Sequence, residues 1–153
     1  MKLEASDFES VEDFPLKWRW TDPRWNKLPD ENLDRVRPLT ITKAAEMNTL
    51  STQFISNIGL LDSSFTVINR FETAADEEAT GVWLRARFDD GIQEVIISWD
   101  ERLAVLTDWS IFQIFWDDFC YPASDNVTIF PITVEWMLFY SHDEYFEFGR
   151  MNK

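Results

Sequence analysis

The densest apolar run of the chain is Thr107 to Tyr121, TDWSIFQIFWDDFCY, in which Ser110, Gln113 and Asp117 are the polar positions that break a wall of Trp, Phe and Ile. Their i, i+3, i+7 spacing predicts a helix over 107–120 with a narrow wet face, capped by Thr107 or Asp108 and buried on most sides. A second helix is predicted from Thr40 or Thr42 to Asn57. Ala44, Met47, Phe54, Ile55 and Ile58 recur there at helical spacing, with Pro38 just upstream and Gly59 just after.

The remaining periodicity is that of strands. Phe65 to Glu72 is β-branched and aromatic, and the polar stretch TAADEEATG after it reads as an exposed loop. VWLRARFD and IQEVIISW flank Asp90-Gly91, the dipeptide of two-residue type I′ turns, which predicts a hairpin over 82–99. In that register Arg87 opposes Glu94, and Val82, Leu84, Ala86, Phe88, Val95, Ile97 and Trp99 form a core face. Trp83, Arg85, Arg87, Glu94, Ile96 and Ser98 fall on a second, partly wet face. Val127 to Ile132 reads as a short strand stopped, or pushed to the sheet edge, by Pro131. Val134 to Ser141 is apolar on both faces and reads as a central strand. His142-Asp143-Glu144 then turns the chain into Tyr145 to Phe148.

Residues 1–40 differ from the rest. Pro15, Pro23, Pro29 and Pro38 are too frequent for a long helix, and Trp18, Trp20 and Trp25 lie between them, which predicts an irregular aromatic arm packed across a single domain. The fold class these elements define is α+β: an antiparallel sheet of five or six strands with two main helices on one face. The absence of βαβ alternation argues against a parallel sheet.

Charge narrows the choice of partners. With 14 basic and 28 acidic residues the net charge is −14, which disfavours phosphate backbones and anionic lipid surfaces. Seven of the basic side chains lie between Lys17 and Lys43, so residues 61–153 are more acidic still. No nucleic acid and no membrane is expected as a partner; a basic protein is. The alternative is that the charge serves solubility alone. In WRWTDPRW, Arg packing on Trp faces is preferred to a platform for single-stranded nucleic acid, which the charge opposes. One cysteine, Cys120, fits a reducing cytoplasm, and the N-terminus has no apolar stretch of the kind that directs secretion.

Candidate chemistry is sparse. A nucleophilic dyad would have to join Cys120 to His142, the single histidine, but Cys120 ends an apolar run and reads as a small core residue. Asp117, Asp118, Asp125, His142, Asp143 and Glu144 are of the right types for a divalent cation, although their spacing matches no defined metal loop. A metal-assisted hydrolase on Asp117, Asp118, Asp125 and His142 is therefore the alternative enzymatic reading. No catalytic, cofactor-binding or metal residue is assigned, and no cofactor is expected. Partner contacts are expected at Asp117, Asp118, Asp143 and Glu144, with Trp83, Arg85 and Arg87 as the alternative surface, because carboxylates steer a basic partner and aromatics anchor it.

EVIISWDERLAVLTDW, FWDDFCYPASDNVTIFP and VEWMLFYSHDEYFEFGR, with the tail pattern W-x-L-x-Y-x-H-x-x-x-F-x-F-G-R, resemble the C-terminal halves of small acidic uncharacterised bacterial proteins, including immunity-type proteins of polymorphic toxin systems. The resemblance covers roughly residues 80–150. It implies a small cytoplasmic α+β protein that binds a partner, such as a basic toxin to be neutralised, and it transfers no functional residue. Neither the partner's identity nor the oligomeric state follows from it.

Overall fold

A computed structural model describes residues 2–25, 27–73, 76–87 and 93–152. In chain order the elements are α1 (Trp18–Thr21), α2 (Asp30–Leu33), β1 (Arg37–Pro38), α3 (Ile41–Thr52), β2 (Ile55–Ser56), β3 (Gly59–Leu60), β4 (Phe65–Glu72), α4 (Glu77–Arg85), β5 (Glu94–Ser98), β6 (Ala104–Asp108), α5 (Trp109–Ile114), α6 (Trp116–Phe119), β7 (Val127–Phe130), β8 (Trp136–Ser141) and β9 (Tyr145–Met151), with short 3-10 turns between some of them. The architecture is α+β. Seven strands form one antiparallel sheet in the order β1-β6-β5-β7-β8-β9-β4, and β2-β3 is a separate hairpin.

The interior strands explain the layering. VTIF and WMLFYS are buried at every position, so side chains on both faces of the pleat must be covered. Val95, Ile97, Val105, Ile129, Leu138 and Phe146 face one core, which the N-terminal arm, α4, α5 and α6 close with Phe14, Trp20, Leu84, Trp109, Phe112 and Phe119. Ile96, Leu106, Phe130, Met137, Phe139 and Tyr145 face the other, which α3 and the β2-β3 hairpin close with Ala44, Met47 and Leu60. The two main helices therefore lie on opposite faces of the sheet rather than on one. A run that is apolar on both faces needs a lid on each.

The largest departure from the sequence pattern is at residues 82–87, which are not a strand. Asp76 accepts hydrogen bonds from the backbone N–H groups of Glu78 (3.0 Å) and Ala79 (3.1 Å) and so caps α4. Glu77 and Glu78 fill its first turn and Arg85 its last, the charge order that a helix dipole favours. The stretch expected to be a polar loop is thus a helix start. The Arg87–Glu94 pair and the register built on it do not form, and Asp90-Gly91 lies outside the described residues. The downstream half of the prediction stands as β5, with Val95, Ile97 and Trp99 on one core side; Ile96 and Ser98, expected to be partly wet, are buried.

Smaller corrections follow the same physics. Thr107 and Asp108 belong to β6, and the apolar run after them divides into α5 and α6 at Phe115, whose φ of −109° and ψ of 26° break the helix. Asp108 occupies the cap position without a side-chain capping bond, and Ile114, expected inside, is 59% exposed. The helix beginning at Thr40, whose hydroxyl accepts from the Lys43 N–H at 3.2 Å, ends at Thr52, and residues 55–60 form the hairpin instead. β4 spans the expected Phe65–Glu72. β7 stops before Pro131 and lies inside the sheet, and β9 runs three residues past Phe148.

Candidate functional site

The end of β4, the start of α4, α6 and the β8-β9 turn meet around a pocket of about 540 Å³. Its charged lining is Asp76 and Glu77 from α4, Asp117 from α6 and Glu144 from the turn; among the described residues no lysine, arginine or histidine lines it. Asp76 is committed to capping α4. Glu77, Asp117 and Glu144 take part in no ion pair among the described residues. Burial first, and the Glu77 charge second, raise the Asp117 carboxyl above its ordinary value. The same residues that make the pocket acidic therefore repel one another in the absence of a cation.

Glu144 reaches this position through an unusual backbone. Its φ is 65°, in the left-handed region, and its carbonyl accepts the Thr73 N–H at 2.8 Å, tying the turn to the end of β4. A non-glycine residue there costs about 1–2 kcal/mol. The neutral groups around the carboxylates are Tyr140, Tyr121 and Cys120. Burial holds the Tyr140 phenol well above its ordinary range, and burial together with the Asp125 charge holds the Cys120 thiol above its own. Both stay protonated, so the pocket offers carboxylates and aromatic rings, a combination suited to a cation and not to thiolate chemistry.

Of the residues expected to contact a partner, Asp117 and Glu144 are brought to this pocket. Asp118, one position from Asp117 on α6, is buried, and its carbonyl accepts the Trp20 indole N–H at 3.1 Å. Asp143 is exposed and lies instead at a second cleft, beside His142 at 3.6 Å. Trp83, Arg85 and Arg87 do not share a sheet face. Trp83 stacks on Phe71 and Phe146 with ring centroids 5.5 and 6.2 Å apart, and Arg87 lies 4.4 Å over the Trp83 ring and donates to the Trp83 carbonyl at 3.1 Å. Arg85 alone of the three is exposed.

The metal grouping read from the sequence is dispersed. Asp125 is held by Arg19 at 2.6 and 3.2 Å and accepts the Tyr121 N–H at 2.9 Å, while His142 Nδ1 lies 2.9 Å from Asn126 Oδ1. Among the described residues no three of His, Cys, Asp and Glu are placed to hold a metal ion. No helix among them is long and apolar enough to cross a membrane.

Asp76 and Glu77 are lining residues that the loop pattern of TAADEEATG does not reveal. An aspartate followed by two glutamates and then by Thr80, Gly81 and Leu84 at helical spacing was the signal that could have found them. No protein-family model matches the sequence, and no curated protein or solved structure matches it significantly.

Proposed function

We propose that this is a non-catalytic binding protein of the cytoplasm whose acidic pocket receives a basic side chain of a protein partner, the partner being a basic toxin that the chain neutralises. The observation that carries the reading is the convergence of Glu77, Asp117 and Glu144 on one concave surface that no lysine, arginine or histidine lines among the described residues. An arginine suits the pocket best: its guanidinium donates to several carboxylate oxygens at once and stacks on an aromatic ring such as that of the half-buried Tyr121. The net charge of −14 adds long-range attraction for a basic partner, which accelerates encounter. The toxin-neutralising role rests on the resemblance of residues 80–150 to immunity-type proteins.

The test is affinity capture from the native cell at low salt, using the wild-type chain and a Glu77→Lys, Asp117→Lys, Glu144→Lys variant as parallel baits. A basic protein retained by the wild type, released by added salt and absent from the variant is the expected result. Recovery of the same proteins on both baits would overturn the assignment to this pocket.

A further inference from the structure

A second cleft, of about 510 Å³, opens on the other face of the sheet, between the C-terminal half of α3, the β2-β3 hairpin and the ends of β5, β7 and β8. Its volume is in the range of small-molecule sites. Its floor is unlike the rest of that face. Ser98 is paired with Thr128 in the β5-β7 register, and Ser141 ends β8, so each of these three strands places a hydroxyl at this cleft. These residues are 3%, 7% and 4% exposed. Buried hydroxyls are costly when nothing pairs with them.

The hydrogen bonds of this floor fix what it offers. Ser51 donates to the Asn48 carbonyl at 3.3 Å, which can only accept, so Thr128 in turn donates to Ser51 at 3.3 Å. The lone pairs of Thr128 are left as acceptors. Ser141 accepts the Asp143 N–H at 3.1 Å, which leaves its proton to donate. Ser98 makes no side-chain hydrogen bond with the described residues and can do both. An acceptor, a donor and a group that does either, side by side, match a ligand whose own groups both donate and accept.

Arg70 at the cleft is offset by Glu72, bonded at 3.0 Å, and lies 3.5 Å over the Tyr145 ring, while the exposed Asp143 carboxylate beside His142 adds an acceptor at the rim. Phe139 and Tyr145 supply apolar lining, whereas the Trp99 ring packs on Phe14 and Trp20 on the opposite face of the sheet. A neutral hydroxyl floor, a carboxylate acceptor at the rim and the rings of Phe139 and Tyr145 together suit a molecule with hydroxyl edges and C–H faces. We propose that this cleft is a binding site for a neutral carbohydrate, held through Ser98, Thr128 and Ser141. The site is separate from the acidic pocket and independent of the partner-binding role.

The test is titration of the ¹⁵N-labelled full chain with maltose, glucose and N-acetylglucosamine, with adenosine as a neutral comparison, followed by amide chemical shifts. The expected result is saturable shifts at Ser98, Thr128, Ser141 and Asn48 with at least one sugar, at roughly millimolar affinity, and at least about tenfold weaker binding by Ser98→Ala. Since Ser98 makes no side-chain hydrogen bond among the described residues, that variant is expected to melt at the wild-type temperature; Ser141→Ala serves as the second variant. No saturable shift with any sugar up to about 50 mM would overturn the proposal. So would shifts produced by adenosine alone, or sugar affinity unchanged in both variants.

Discussion

Arg19 and Asp125, 106 residues apart in the chain, are joined by two hydrogen bonds of 2.6 and 3.2 Å inside the protein. The guanidinium also lies 3.9 Å over the Tyr121 ring, and the same carboxylate accepts the Tyr121 N–H. The pair thus fastens the N-terminal arm to the segment that forms one wall of the acidic pocket. Removing one partner leaves a buried charge without its counterion, so Arg19→Met and Asp125→Asn should each lower stability by about 3–5 kcal/mol. The double variant should lose less than the sum. Urea unfolding of the three variants checks this; single variants within experimental error of wild type would contradict it.

On α4 the contrast is between neighbours. Leu84 is fully buried and Arg85 exposed, so Leu84→Asp should unfold the protein or lower its melting temperature steeply, while Arg85→Asp should stay within about 0.5 kcal/mol of wild type apart from a small helix-dipole penalty. Circular dichroism melts distinguish the two, and equal melting temperatures would contradict the placement.

That pair also shows what a local pattern can and cannot decide. Leu84 points inward whether residues 82–85 are read as strand or helix, so its burial was legible while its element was not. Asp90-Gly91 outweighed the capping signal at Asp76 because turn preference and helix capping are both local, and nothing within eighteen residues arbitrates between them. The Val134 to Ser141 run already carried the information that both sheet faces are covered, and assigning both helices to one face ignored it. Asp117 and Glu144 were legible as acidic turn and helix-end residues. Their meeting with Asp76 and Glu77 was not, since it depends on β4 and β9 pairing across more than seventy residues. Ser98, Thr128 and Ser141 look like ordinary strand residues until the β5-β7 register pairs Ser98 with Thr128 and the β7-β8 register sets Thr128 opposite Phe139, two residues before Ser141 on the same strand.

Glu144 separates binding from stability. Glycine adopts a φ of 65° without the side-chain penalty, so Glu144→Gly should leave thermal stability unchanged or raised by up to about 1 kcal/mol while weakening capture of the proposed basic partner. A melt and a binding assay on one preparation test both halves. A variant that loses stability and keeps full binding would contradict the role given to this side chain.

Asp117 carries a pH signature. A carboxyl raised in the folded state binds its proton more tightly there than in the unfolded chain, so its contribution to stability falls as pH rises from the unfolded value of 3.8 through the folded one. Asp117→Asn should therefore be more stable than wild type at neutral pH, and the advantage should vanish below the unfolded value. Denaturant midpoints at several pH values measure it. An advantage that grows on acidification would have the wrong sign.

The proposed encounter between the acidic pocket and a basic partner is measured most directly by the association rate of that partner, once captured, as a function of salt. The wild-type rate should fall steeply with ionic strength. The Glu77→Lys, Asp117→Lys, Glu144→Lys variant should associate more slowly at low salt and converge on the wild type at high salt. A wild-type rate that does not change with salt, or a charge-reversed variant that associates as fast as the wild type, would contradict the claim.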